Sequence, residues 1–395
     1  MEKVQKTMTR MDMISFSTEV AKHDTRMNRC KKHEARTIVF ITLCAVICGW
    51  RTWDEICEFG KYKKHVMEKY LGPLEATPSA DTIGRFFALI KPAKFEGAYR
   101  MWMKELFRLR TSPKGEKANR EIIAIDGKEI CGASAAECSS VRVVSAYAVN
   151  SGISLGQEIV GEKTNEIPAV RTLVEELDIE GCVVTADALH CQKETCKAII
   201  EAKGNFILFA KGNQKFLMQA VADAIDTALN SRDGIKIFDK NTEYSDKHGN
   251  DFTIRKCVVV TKASMLGDLY KEWPWIKSFG MITSEKTVEG QLIKETRYFI
   301  SSLYDNAKYF LKACRDHWGI ENGLHWRLDV DFQEDNARKR KNAATNFSLV
   351  TKMAIAILDS DDNGGKKIPM RRKKQRAALS DEYLQQLIDN FYLDL

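Results

Sequence analysis

Hydrophobic positions change period twice along this chain. Up to about residue 110 they repeat as in helices. ARTIVFITLCAVIC is apolar all round and stops at Gly49, while WDEICEFGKYKKHVMEKY and SADTIGRFFALI show helical spacing with Pro73 and Pro78 in the loop between them. TSPKGEKANR, residues 111–120, is polar with Gly and Pro and predicts a linker. EIIAIDGKEI, VRVVSAYAVN and ISLGQEIVG then predict three strands, with Asn150, Ser151 and Gly152 signalling a hairpin between the last two. PAVRTLVEEL predicts a helix, GCVVTAD a buried strand, QKETCKAIIEAKG an amphipathic helix with a glycine stop, and NFILFAKGNQ another strand. That order predicts a mixed α/β sheet that starts antiparallel and continues by parallel crossovers.

Residues 231–303 are strand-rich (IKIFD, DFTIRKCVVVT, IKSFGMITSEK, ETRYFISSL) and predict a β-rich insertion. Helical spacing returns in NAKYFLKACRDHWGIENGLHW and AATNFSLVTKMAIAILDS. DDNGG then breaks the pattern before the basic run KKIPMRRKKQR and a short final helix, SDEYLQQLIDNFYL. The expected units are a helical domain over 1–110, an α/β domain over 111–358, and a basic tail with a short helix over 359–395.

Charge adds little: 61 basic and 54 acidic residues leave a net +7, which suits a polyanion partner without requiring one. The longest apolar run, residues 37–48, is too short to cross a bilayer, and the N-terminus lacks the apolar core of a secretory signal. A cytoplasmic protein with no membrane partner is expected. The 11 cysteines are scattered and odd in number with no C-x-x-C pair, which argues against a disulfide framework and a structural zinc site.

Candidate chemistry starts with two acids. Asp126 ends IIAID and Asp187 ends VVTAD, and functional groups in open α/β sheets gather at carboxyl ends of strands. With a third acid they make a hard oxygen site for Mg²⁺ or Mn²⁺. Lys128 and the turn Lys211, Asn213, Gln214 and Lys215 follow predicted strands and offer phosphate donors, or are an ordinary polar turn. Farther on, His317, Glu321 and His325 are spaced by four and share one helical face, with Trp318 and Trp326 beside the histidines. Three readings compete: a zinc stripe, as in a zinc hydrolase; a catalytic glutamate flanked by orienting or phosphate-contacting histidines; or the wet face of a core helix anchored by its tryptophans. The two histidines stand about 12 Å apart along such a helix, too far for one zinc ion. Trp50 and Trp53 are candidates for DNA contact or for core packing.

Taken together, IAIDGKEICGA, EKTNEIPAV, TADALHCQKETCKAIIEAKGNFILFAKGNQ and HWGIENGLHWRLDVDFQEDNAR resemble the DDE insertion-sequence transposases of the ISAs1 family within the IS4 group, which includes the H-repeat-associated proteins. CGWRTWDEICEFG and PSADTIGRFF resemble the small domain that precedes their catalytic domain. The resemblance implies a ribonuclease-H-like fold with a β-rich insertion before the last acid. It implies Asp126, Asp187 and Glu321 as catalytic and metal-binding carboxylates, with two Mg²⁺ or Mn²⁺ ions. It further implies double-stranded DNA as substrate, at element ends and target, and a homodimer or higher assembly on paired ends. The broader group carries a tyrosine and an arginine before the glutamate and a lysine after it; here those positions hold Cys314, His317 and Leu328. Arg315, His317, Lys339 and Arg340 are therefore the candidate phosphate contacts, with the basic C-terminal run as a non-specific one. The alternative is a catalytically silent DNA-binding relative acting as a regulator or relic.

Overall fold

The computed structural model describes residues 12–27, 31–111, 120–130, 141–161, 165–230, 238–246, 252–288, 291–336, 339–340, 342–366 and 368–390. Helices α1 (Met13–Ala21), α2 (Ala35–Ile47), α3 (Trp53–Tyr62), α4 (Lys64–Leu71), α5 (Ala80–Leu89) and α6 (Pro92–Thr111) come first. The all-round apolarity of α2 is explained by its burial along nearly its whole length. A Thr52–Glu55 capping box starts α3 by satisfying otherwise orphaned N–H groups.

Next come β1 (Ile122–Ile130), β2 (Val141–Ala148), β3 (Ile153–Ile159), α7 (Glu166–Glu176), β4 (Val183–Ala186), α8 (Lys193–Glu201) and β5 (Asn205–Ala210). β1, β2 and β3 pair antiparallel; β4 joins β1 and β5 joins β4 in parallel, as the pattern predicts. The β2–β3 turn depends on Gly152, whose φ is +68°. α9 (Lys215–Asn230) was not anticipated from the pattern.

The strand-rich segment forms β6 (Phe238–Asp246), β7 (Phe252–Val260), a short helix α10 (Leu269–Glu272), β8 (Ser278–Val288) and β9 (Gln291–Ser301). It does not stand apart. β9 pairs antiparallel with β5 from Ala210↔Tyr298 to Ile207↔Ser301, so one nine-stranded sheet runs β3-β2-β1-β4-β5-β9-β8-β7-β6. An insertion in sequence is here an extension of the central sheet. The predicted start of this segment, residues 231–237, lies outside the described residues.

Alternation along the strands splits the core. Ile122, Val183, Ile207 and Phe209 pack with Phe310, Leu311 and Cys314 of α11 (Ala307–Asp316) on one face. Ile123, Ile125, Val184 and Leu208 belong to a larger core that also takes in α2, α6, α7 and α12 (Asn342–Ser360). α12 is buried almost throughout and touches α2, α5 and α6, joining the first helices to the sheet.

The expected basic tail is folded. α13 (Met370–Leu379) and α14 (Asp381–Asp389) pack back onto the molecule. Lys373 is buried and donates to the Leu358 carbonyl at 2.7 Å; Lys63 meets Asp381 at 2.5 Å and the Tyr70 hydroxyl donates to Asp389 at 2.8 Å. The periodic apolar residues of α14 explain the docking: Leu384, Leu387 and Ile388 are buried. The eight described cysteines are all unpaired and buried, consistent with their apolar flanks. Among the described residues no helix is long and apolar enough to cross a membrane.

Candidate active site

The parallel register of β1 and β4 ends at Ile125↔Ala186. Asp126 and Asp187 are the next residue on each strand, so the two carboxylates leave the sheet at neighbouring points. Alternation turns both, with Thr185, toward the face that α11 covers. One expectation needs correction. Asp126 does not end its strand: β1 continues to Ile130 because β2 goes on pairing with it, Asp126 opposite Ser145. Only pairing on the β4 side stops there.

Glu321 arrives from the chain beyond α11. After Asp316 the helix widens into π turns over Glu321–His325 and Arg327–Asp331, a winding often found at functional sites. Gly319 and Gly323 let it approach β2 closely. A Cβ on Gly319 would meet Val149 at 2.5 Å, and one on Gly323 would meet the Tyr147 hydroxyl at 2.5 Å. The wet-face reading is reversed: His317 and His325 are 7% and 8% exposed, Trp318 and Trp326 54% and 53%. The histidines face the sheet and the tryptophans face solvent, Trp318 under the Arg297 guanidinium at 5.3 Å.

Each histidine faces a different partner. His317 Nδ1 lies 3.1 Å from Thr185 Oγ1, a hydrogen bond between the Asp187 strand and the Glu321 helix. His325 Nδ1 lies 3.5 Å from Asp126 Oδ2. One ligand atom each from Asp126, Glu321 and His325 lie within 4.8 Å of one another, a spread one divalent cation could draw together. His317 is outside this group, so the histidine stripe does not form a two-histidine zinc site.

Burial, then the neighbouring charges of Glu321, Asp187 and Glu166, push the Asp126 carboxyl up to about 7, against a lowering hydrogen bond from the Gly127 N–H. A cation would relieve that repulsion. Burial, reinforced by Lys352 and Lys128, pushes His325 down to about 3 and keeps it neutral. His190, in the turn after Asp187, is pushed down to about 4, again chiefly by burial.

The candidate phosphate contacts divide. Lys211, Lys215, Arg315 and Arg340 are exposed. Asn213 donates to the Ala188 carbonyl at 2.7 Å and Gln214 to Gln192 at 3.1 Å, so both help hold the turn beside Asp187. Three others face inward. His317 bonds Thr185. Lys128 lies 2.5 Å from Asp329 and 3.6 Å from Glu334. Lys339 is buried, donates to the Arg51 carbonyl at 2.5 Å, and sits over the Trp53 and Phe347 rings at 4.2 and 3.6 Å. All three engage their charged or polar ends with partners inside the protein. Trp53 stacks on Phe87 at 5.5 Å, the packing role, whereas Trp50 is 40% exposed.

Two features were not read from the sequence. Glu166 lays its carboxyl where a Gly127 Cβ would stand, 2.7 Å away, and its Oε2 is 3.8 Å from His190 Nε2. Lys352, buried and pushed down to about 8, donates to Ser145 at 2.9 Å and Gln157 at 2.5 Å behind Asp126. Asn165 before an acid signals only a helix start, and Lys352 stands within an apolar helical run; neither pattern announces a site.

Asp126 and Asp187 on neighbouring strands, with Glu321 and His325 facing Asp126 from the π-wound segment, make a donor set that a divalent cation could occupy. The chain belongs to the DDE transposase family: the model "Transposase DDE domain" matches residues 117–358 and "DDE_Tnp_1-associated" matches residues 21–103. It is 33% identical to Escherichia coli K12 "H repeat-associated putative transposase YhhI" over 91% of this chain and 94% of that protein. It is 34% identical to "Putative transposase YncI" of Escherichia coli O157:H7 over 92% of each. A solved piggyBac transposase synaptic complex with hairpin DNA aligns with 96% of this chain and 82% of its own, at TM-score 0.42 and 10% identity.

Proposed function

We propose that this protein cuts the ends of an insertion sequence and joins them to target DNA by in-line displacement at phosphodiesters. Asp126, Asp187 and Glu321 are the catalytic carboxylates, on a ribonuclease-H-like fold whose catalytic unit spans about 111–358. The observation that carries the reading is the register: Asp126 and Asp187 both follow the last parallel pair of β1 and β4, and a carboxylate oxygen of the exposed Glu321 lies within 4.8 Å of one on Asp126.

Divalent ions held by these acids, two Mg²⁺ or Mn²⁺, would supply activation of the attacking oxygen and stabilisation of the leaving one. The chain's own work is positioning. β1 and β4 fix two carboxylates on rigid strands, and the His317–Thr185 hydrogen bond sets the Glu321 helix against them. Asp126 is central, with the charges of Glu321 and Asp187 both acting on it. No covalent protein intermediate is needed, so one site serves hydrolysis at the element end and strand transfer by the freed 3′-hydroxyl. Exposed Lys211, Lys215, Arg315 and Arg340 contact backbone phosphates, which supply affinity without sequence information. Two copies, or more, act on paired ends.

The test uses a supercoiled plasmid carrying the gene's own flanking DNA, incubated with Mg²⁺ and either wild type or Glu321→Gln. Breaks at the element ends with wild type, lost in the variant, are expected. Binding without breaks by either protein, in Mg²⁺ and in Mn²⁺, would replace this reading with a silent DNA-binding relative.

A further inference from the structure

One side chain at the site has a position that a set of three carboxylates leaves unexplained. His325 is nearly closed off from solvent, yet its Nδ1 faces Asp126 Oδ2 at 3.5 Å. That is too long for a hydrogen bond of ordinary strength. It is close to what two donors on one ion require: with bonds of about 2.1 Å, octahedral neighbours stand roughly 3 Å apart and opposite donors about 4.2 Å. The atoms offered by Asp126, Glu321 and His325 all fall within 4.8 Å of one another, so a small inward movement completes the set. On the far side of the ring, Nε2 is buried without a hydrogen-bond partner among the described residues, so no protein acceptor there dictates which nitrogen carries the proton. Asp187 is not in the trio; its exposed side chain stands at the end of the next strand.

We infer that His325 binds through Nδ1 the same divalent cation that Asp126 and Glu321 hold, so the two ions of the site are unlike. This rests on the metal-binding role proposed above for Asp126 and Glu321. One ion would have a mixed nitrogen and oxygen shell, held by Asp126, Glu321 and His325; Asp126 and Asp187 would offer the other only oxygen. The chemistry has a consequence for selectivity. An imidazole donor favours transition ions over Mg²⁺ and Ca²⁺, which prefer all-oxygen shells. The mixed position should take Mn²⁺ or Co²⁺ ahead of Mg²⁺.

The test reads the metal, without DNA. Mn²⁺ is added to the full chain and pulsed electron paramagnetic resonance looks for ¹⁴N coupling from a directly bound nitrogen. The expected result is a ¹⁴N signal that becomes a ¹⁵N signal when the wild-type protein carries ¹⁵N-histidine, a control that needs no variant to fold. The signal should vanish in His325→Gln and persist in His317→Gln. Bound Mn²⁺ with no nitrogen coupling, a signal that survives His325→Gln, or no Mn²⁺ binding at all would each overturn the inference. The proposed function is judged separately: element-end cleavage by a protein whose Mn²⁺ shows no nitrogen would sink this ligand and leave the transposase reading intact.

Discussion

Thr185 Oγ1 and His317 Nδ1 stand 3.1 Å apart, joining the strand that leads to Asp187 to the helix that leads to Glu321. This buried bond is a direct side-chain tie between the two elements. Thr185→Val should remove it with little change in shape, though a valine is not a perfect isostere of threonine. Loss of an orienting bond around a metal site typically costs about 10–100-fold in activity or metal affinity. We expect a fall of that order in cleavage by Thr185→Val and His317→Ala, with DNA affinity in filter binding nearly unchanged. A large loss of affinity instead would return His317 to the phosphate contacts.

Gly323→Ala tests the close approach of the same helix. The new methyl would meet the Tyr147 ring and hydroxyl. Overpacking of this kind costs about 1–3 kcal/mol, read as a lower midpoint in urea. Cleavage should fall too, because the displaced segment carries Glu321. Tyr147→Leu in the Gly323→Ala background should recover part of both; no recovery would place the strain elsewhere.

The division of basic residues predicts a salt signature. Each exposed lysine that touches a phosphate contributes about one unit to the slope of log affinity against log salt. Lys211→Ala and Lys215→Ala should each lower the slope by roughly that amount. Lys339→Met should leave it unchanged, since that amino group is held between Trp53, Phe347 and the Arg51 carbonyl. Equal effects from all three would show that Lys339 swings out on binding.

Lys339 also predicts a dependence on pH. Burial pushes it down to about 7, with Arg51 lowering it further and Glu55 opposing. An unfolded lysine keeps its proton to about 10.4. Between those values the unfolded chain binds more protons at this site, so its contribution to stability rises with pH. The sign is opposite to that of a lysine that gains an acidic partner. Lys339→Met removes the effect: its stability relative to wild type should be highest near pH 6 and decline toward pH 9, by at most about 1.4 kcal/mol per pH unit. A difference independent of pH, measured by urea unfolding, would mean the lysine stays charged in the fold.

These residues show what the sequence could and could not tell. Period and punctuation reveal β1 to β5, the Gly152 turn and the buried α2, because each is decided within a few residues. Asp126 and Asp187 were legible for the same reason, as acids closing apolar runs. The course of β1 past Asp126 was not, since it depends on how far β2 extends beside it. The inward turn of Lys128 and Lys339 was hidden as well. A basic run reads as solvated unless the aromatic rings and acids that meet it are known, and these come from distant parts of the chain. Along the four-residue spacing after Asp316, His317 and His325 turn inward while Glu321 between them stays exposed, which periodicity alone cannot report. Glu166 needed the fold itself, because only packing brings α7 against Gly127.

The clasp between α14 and the helices near the start has a consequence for synthesis. Lys63 and Asp381 are separated by 318 positions, and α2 finds its cover in α12. Helices α1 to α6 can pack on one another as they emerge, but the face that α12 covers stays open until residues 342–360 are made. A chain that stops short of α12 would leave uncovered the part of α2, α5 and α6 that α12 packs against.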